Sequence, residues 1–319
     1  MGECLLVRRG GGKPTLKGIS VKTPPTKIQY LEGEAFDFSG MVISANLSGM
    51  LVDITSGYTC TPTVMGAADT TVTISYTVNG KTATTTQVMQ KAPYKPVFAE
   101  NTWSQIVDAC ADGTASILWQ VGDEKTFDFG GTTLTAVIIG KNHDDLDATD
   151  AKYGDGTYNS GTGKAALTLQ TKELLNAYYA MNTGSSNYGG WTQSYMRGTT
   201  MPQLKQTLPV ELREALRVVT KHSQIYYDSI GVGATADSLF LPSKYEVFAS
   251  GNSSEGAQYA YYAAGNSRIK RVVGTSNAEV WWLRSIGTSN DIFLTVDEKG
   301  HYNTYISHAG GRISFCFCL

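Results

Sequence analysis

Two residues, Asn79-Gly80, separate the alternating run Val72, Ile74, Tyr76 and Val78 from the threonine-rich segment 81–86. Alternation with period two puts successive side chains on opposite faces of a strand, and Asn-Gly supplies the positive φ that both central positions of a tight hairpin turn require. The stretch therefore reads as a β-hairpin with one apolar face, which is stable only when another layer covers it. Further short strand-like runs occupy the chain from Leu16 to about Gln90, so residues 15–91 are expected to form a small all-β sandwich.

After this block Ala92-Pro93-Tyr94-Lys95-Pro96-Val97 reads as a stiff joint, because two prolines restrict the backbone to extended paths. The pattern then changes. Thr102-Trp103-Ser104-Gln105 and Ser243-Lys244-Tyr245-Glu246 have the spacing of capping boxes, and Gly113 is placed to end the first of these helices. Helices are also expected over 171–181, with Leu174, Leu175 and Tyr178 on one face, and over 210–222, with Leu212, Ala215, Leu216 and Val219 as the apolar stripe. Strands are expected at 116–121, 125–129, 132–139, 280–284, 292–296, 301–306 and 312–318. The mixture describes an α+β unit over 102–319, joined to the first block by a linker at 92–101.

Only 17% of the 319 residues are charged and the formal net charge is −2, which gives no electrostatic basis for binding nucleic acid. Arg8, Arg9 and Lys13 surround Gly10-Gly11-Gly12, so residues 1–14 read as a flexible basic arm suited to tethering or docking. The apolar stretch before Arg8 is too short for a signal peptide and no stretch approaches a membrane span, from which synthesis in a cytosol without membrane insertion is expected. Five cysteines (Cys4, Cys60, Cys110, Cys316, Cys318) without a Cys-x-x-Cys pair fit neither a disulfide framework nor a structural zinc site. Cys316 and Cys318 share one face of the last expected strand and read as small core residues.

The final forty residues divide into an apolar frame and a polar insert. Val280-Trp281-Trp282-Leu283-Arg284-Ser285 opens the frame and Ile313-Ser314-Phe315-Cys316-Phe317-Cys318-Leu319 closes it, whereas residues 286–308 are dominated by Gly, Thr, Ser, Asn, Asp, His and Tyr. Tyrosine and small polar residues give large amphipathic contact area at low entropic cost, so the insert reads as a contact surface. The expected ligand-binding residues are Ile286, Thr288, Ser289, Asn290, Asp291, His301, Tyr302, Asn303, Tyr305 and His308, with Tyr and His as anchors.

Ile19-Ser20-Val21, Tyr30-Leu31-Glu32-Gly33-Glu34, the run 36–43 and the 72–84 hairpin resemble the bacterial immunoglobulin-like domains of the group 3 type, with Ser48-Gly49 where the family usually has Asp-Gly. That resemblance implies a spacer or weakly adhesive module. In the second block, the run 190–197 beginning Gly190-Trp191, Leu208-Pro209, Leu241-Pro242-Ser243-Lys244-Tyr245-Glu246, Glu255-Gly256-Ala257-Gln258-Tyr259 and Trp281-Trp282-Leu283-Arg284-Ser285 resemble a family of unknown function common in gut bacteria and their phages, itself similar to the C-type lectin fold. The chain has Gly311-Arg312-Ile313-Ser314 where that family ends on Gly-Val-Arg-Pro. The resemblance implies an all-β immunoglobulin-like sandwich followed by an α+β C-type-lectin-like domain. It extends to phage tropism determinants, whose C-terminal positions are diversified by retroelements through AAY codons randomised to NNY, a set lacking Trp, Met, Lys, Gln and Glu. Residues 286–297 and 301–308 contain none of these five.

Other constellations have more than one reading. His143-Asp144-Asp145-Leu146-Asp147 with Asp150 and Asp155 offers calcium-type ligands but lacks EF-hand spacing, which favours a solvated acidic loop. Trp191, Trp281 and Trp282 read as a sugar platform or as core, and Arg197 and Arg284 as ligand contacts or as donors to loop carbonyls. Formylglycine-generating enzymes share the implied fold and use a reactive cysteine pair, but the scattered histidines (His143, His222, His301, His308) form no catalytic set by spacing. The expectation is a non-catalytic phage or prophage receptor-binding protein on the virion surface, without cofactor or metal. Its partners would be a bacterial surface protein or glycan, other virion proteins through the arm, and two further copies in a homotrimer. The alternative is a decoration or glycan-adhesion protein of the particle.

Overall fold

The computed structural model describes residues 13–31, 33–66, 69–91, 93–229 and 231–319. Cys4, Arg8, Arg9, most of the basic arm, Glu32 and Ala92 lie outside the described residues. The chain divides into two compact units, Met1–Lys95 and Pro96–Leu319.

The first unit contains β1 (Leu16–Thr23), β2 (Gln29–Tyr30), β3 (Val42–Leu47), β4 (Met50–Ile54), β5 (Thr59–Thr61), β6 (Thr71–Val78), β7 (Lys81–Val88) and β8 (Gln90–Lys91). Antiparallel sheets β1-β3-β4 and β5-β6-β7 share a core in which Met41, Ile43 and Ile74 meet Ile19, Val21, Ile54, Tyr58 and Cys60. A second cluster joins Tyr30, Met65, Val72 and Met89 beside the parallel pair β2-β8. Asn79 and Gly80 adopt φ of 51° and 79°, so Val78 pairs directly with Lys81. Ser48 and Gly49 repeat this geometry between β3 and β4, at φ of 55° and 97°. Both turns have the backbone twist that two-residue hairpins need.

The second unit is also β-rich. A five-stranded antiparallel sheet has the order β14-β18-β11-β10-β9, built from β9 (Glu124–Phe129), β10 (Thr132–Lys141), β11 (Leu167–Thr171), β14 (Leu239–Phe240) and β18 (Cys316–Cys318). Strands β12 (Val219–Gln224) and β13 (Val232–Asp237) pair with each other, and β15 (Trp281–Ile286), β16 (Ile292–Val296) and β17 (Tyr302–Ile306) form a third sheet in that order. The helix Trp103–Ala111 is capped by Thr102 and Gln105 and the helix Lys244–Phe248 by Ser243 and Glu246, each with both reciprocal bonds of a capping box. Gly113, at φ of 82°, follows the first helix.

Four expected elements are different. Residues 172–181 are not helical: Leu174, Leu175 and Tyr179 donate their amides to Arg271, Ile313 and Gly311, so pairing with distant chain replaces the i to i−4 ladder. The helix expected over 210–222 stops at Ala215, and Val219, Lys221 and Ser223 then turn inward on β12 with period two. Residues 116–121 do not form a strand, because a helical turn, Ala115–Leu118, precedes the buried Trp119. The final strand is confined to Cys316–Cys318. Upstream of it Ser314 bonds to Thr171 and Arg312 lies beside Trp281, so residues 312–315 bridge two sheets instead of extending one. Among the described residues no helix is long and apolar enough to cross a membrane.

Candidate functional site

The sheet β15-β16-β17 changes character from one edge to the other. All six residues of β15 are buried, as are four of the five residues of β16, whereas every residue of β17 is exposed. The base is fixed first by its aromatic residues. Trp281 Nε1 donates to the Arg268 carbonyl at 3.0 Å and Trp282 Nε1 to the Tyr179 carbonyl at 2.6 Å. A Cβ at Gly311 would stand 2.6 Å from Trp282 Nε1, so glycine is needed there for close packing. These bonds place both tryptophans in the core and remove them from any sugar platform. Trp191 is likewise buried, donating to Asp237 at 2.8 Å, and Arg197 donates to the same carboxylate at 2.6 Å.

Arg284 is fully buried and acts as a donor to chain carbonyls and carboxylates. Its Nη1 donates to Glu246 Oε2 at 2.5 Å and to the Leu241 carbonyl at 2.9 Å, and its Nη2 to Glu246 Oε1 at 2.9 Å and the Glu255 carbonyl at 2.5 Å. Lys221 Nζ completes the network, 2.5 Å from Asp144, 2.6 Å from Glu246 and 3.2 Å from the Tyr259 hydroxyl. Burial opposes ionisation of Asp144 and Glu246, but the adjacent Lys221 and Arg284 cations outweigh it and hold both carboxyls below their ordinary range. Burial raises Glu255, whose Oε2 accepts from the Ser285 hydroxyl and Oε1 from the Gln224 amide. Charges this deep are tolerated because each is paired and hydrogen-bonded.

Among the described residues, His143, Asp144 and Glu246 bring potential metal ligand atoms within 4.8 Å of one another. The Lys221 ammonium already bridges the two carboxylates there, so the arrangement is an ion-pair network in which a cation occupies the centre. The rest of the acidic loop is also engaged. Asp147 and Asp155 accept from the amides and hydroxyls of Thr149 and Thr157, Asp150 accepts the amides of Lys152 and Val218, and Asp145 pairs with Lys164 at 2.6 Å. Cys316 and Cys318 face the interior, where burial raises both thiols far above their ordinary range.

The expected contact residues separate into two groups. Tyr302, Asn303 and Tyr305 lie on β17 with His301 just before it and His308 just after, all exposed. Tyr302 remains 53% exposed and Tyr305 37%. Thr288 and Asn290 are exposed and Ser289 and Asp291 half-buried on the β15–β16 turn. Ile286 is the correction: it is buried as the last residue of β15, so its side chain belongs to the base of the sheet and not to the exposed surface.

The β15–β16 turn is held by a residue that the sequence did not single out. Asn187 donates its side-chain amide to the carbonyls of Ser289 and Ile292 at 2.7 and 2.8 Å, and its backbone amide to Asn290 at 2.8 Å. The neighbouring Tyr188 projects to solvent and packs edge-on against Tyr226, ring centroids 5.4 Å apart. On the other flank Tyr178, Glu279, Glu298, Tyr305, Gly310 and Gly311 line a groove of about 270 Å³. There Arg312 lies 3.7 Å from the Tyr178 ring centroid and binds Glu279 through two nitrogens at 2.8 and 2.9 Å. Spacing in the sequence gives no sign of these neighbours, since Tyr188 and Tyr226 are 38 positions apart.

Residues 167–319 match the model of a family described as a domain of unknown function (DUF6273), a span that runs from the start of β11 through β18 to Leu319. No curated protein matches the chain.

Proposed function

We propose that the second unit is a non-catalytic binding head built on a C-type-lectin-like scaffold, and that the protein attaches a phage or prophage particle to a bacterial surface receptor. In this reading the first unit is a bacterial immunoglobulin-like spacer. The observation that carries it is β17: five consecutive side chains, Tyr, Asn, Thr, Tyr and Ile, are exposed on a sheet whose opposite strand is wholly buried. An exposed aromatic strand is a liability unless something binds it, because open edges and apolar side chains invite association. The thiols support a role without catalysis, since buried and protonated cysteines are poor nucleophiles.

Retroelement diversification belongs to the same proposal. All five β17 side chains are within the NNY set, and their exposure means that exchange there leaves the base intact. A homotrimer would add avidity to weak single-site contacts. The test is adsorption of the purified full-length chain to candidate host cells. The double variant Tyr302→Ala/Tyr305→Ala should lower adsorption at least ten-fold while thermal unfolding remains cooperative and shifts only slightly. Unchanged adsorption, combined with weaker particle assembly, would favour a structural decoration protein instead.

A further inference from the structure

One part of the contact surface carries cations without acids. Lys244 Nζ stands 3.7 Å from the centroid of the Tyr302 ring, the Tyr302 ring meets Phe248 edge-on at 5.8 Å, and the Arg268 guanidinium carbon lies 4.8 Å from the Phe248 centroid. The four side chains form a ladder, Lys244, Tyr302, Phe248, Arg268, in which cations and rings are stacked. All are partly or fully open to solvent. Among the described residues neither cation is within ion-pairing distance of a carboxylate, and the guanidinium makes one hydrogen bond, from Nε to the Val247 carbonyl at 3.2 Å. Among the described residues Arg268 Nη1 and Nη2, and the Lys244 protons not turned to the Tyr302 ring, have no hydrogen-bond acceptor.

The acids nearby are engaged or face elsewhere. Glu246, on the same short helix as Lys244, is buried between Lys221 and Arg284. Asp297 accepts the amides of Lys299 and His301 at 3.0 and 2.8 Å, and Glu298 lines the groove beside Tyr178 and Tyr305. His301, its side chain 75% exposed, precedes Tyr302 and stands 3.7 Å from the Asp297 carboxylate, which it faces in place of the two cations. The backbone that carries the cations is anchored, because Lys244 donates its main-chain amide to Ser285 at 2.8 Å and Arg268 accepts Trp281 Nε1 through its carbonyl.

Resting on the attachment reading above, we propose that this ladder is a subsite for a phosphodiester-linked polyol or sugar chain on the bacterial surface. A free guanidinium fork matches two phosphate oxygens, the ammonium serves as a second point charge, and the rings between them offer apolar faces to the carbon backbone of the chain. A polymer with a charge on every unit can present a separate phosphate to each cation.

The test uses the full-length chain and immobilised poly(glycerol phosphate), with neutral dextran and a polyuronate as parallel supports. The wild type should be retained on the phosphate polymer and released by salt. Lys244→Gln and Arg268→Gln should each weaken retention about ten-fold and reduce its salt dependence, since each removes one phosphate-neutralising charge. Lys81→Gln, on the hairpin of the first unit, should have no effect. Tyr302→Phe should behave as wild type and Tyr302→Ala should not, because the ring and not the hydroxyl carries Lys244. Equal loss with Lys81→Gln, preference for the polyuronate, or retention indifferent to both substitutions would overturn the subsite. Host-cell adsorption read in parallel separates the two claims: adsorption intact in Lys244→Gln/Arg268→Gln but lost in Tyr302→Ala/Tyr305→Ala removes the subsite and leaves the attachment reading. No adsorption by the wild type to any host removes that reading.

Discussion

Strands β15 and β17 are the two outer strands of one sheet, separated only by β16, yet their surroundings are opposite. The first buries Trp281, Trp282 and Arg284 beneath a continuous shell of carbonyls and carboxylates, and the second leaves Tyr302, Tyr305 and Ile306 in solvent. What differs is the number of partners each side chain has. Arg284 is tied to β12, to the helix Lys244–Phe248 and to the chain at Glu255, so it cannot change alone. The β17 side chains make few commitments: Tyr302 stacks on Lys244 and Phe248, and Tyr305 packs edge-on against Trp282 at 5.5 Å. Under the proposed function, stability and contact chemistry fall to different strands of one sheet, which would permit change in the second without loss of the first.

The comparison breaks most readily at Arg284. Replacing it by Met leaves Lys221 to neutralise both Asp144 and Glu246, and stability measured by urea unfolding should fall by about 3–5 kcal/mol, the usual cost of a buried charge left uncompensated. Acid acts on the same network more gradually. Asp144 and Glu246 have folded pKa values below their unfolded ones, so their contribution is fully present above the unfolded carboxyl range of about 4 and is lost as pH falls through the folded values. Glu255 has the opposite sign, because its raised pKa makes its ionisation destabilising as pH rises from the unfolded to the folded value. The melting temperature should therefore decline below about pH 4, and Glu246→Gln should flatten that decline.

Asn187→Ala tests whether the β15–β16 turn is held from outside the sheet. It removes two side-chain hydrogen bonds to backbone carbonyls, and a loss of about 1–3 kcal/mol is expected. Faster amide exchange around residues 288–291 would locate that loss. A subtler effect belongs to Lys270, buried over Trp281 and lowered by burial to about 8. Between that value and its unfolded pKa of about 10.4 the unfolded chain binds the extra proton, so stability should rise with pH in this window, and Lys270→Met should abolish the rise. Smallest of all are Tyr302→Ala and Tyr305→Ala, each expected to change stability by about 1 kcal/mol or less, because only one edge contact or cation stack is lost. A change of several kcal/mol would place β17 in the structural frame.

Local signals survived into the structure where short-range chemistry decides the backbone. Asn79-Gly80 and the two capping boxes are of this kind, since a turn or a cap is completed by residues within four positions. The helix expected over 171–181 shows the opposite case: Leu174 and Leu175 are both buried, but long-range pairing with residues 271 and 313 satisfies their amides. Lys221 was placed on the expected helix of 210–222, and only the spatial assembly of Asp144, Glu246 and Tyr259 explains why a lysine turns inward. The polar insert was legible as composition, and the exposure of Tyr302, Asn303 and Tyr305 was expected from it. Asn187, Tyr188, Lys244 and Arg268 were not, because residues far apart in sequence reach the same surface only after folding.

Amide hydrogen exchange of the full-length chain, free and bound to host-cell envelope, tests the central claim most directly. The account predicts new protection on binding at residues 302–306 and 288–291, with β15 equally protected in both states. Protection confined to the first unit, or to parts of the second unit away from β17, would contradict it.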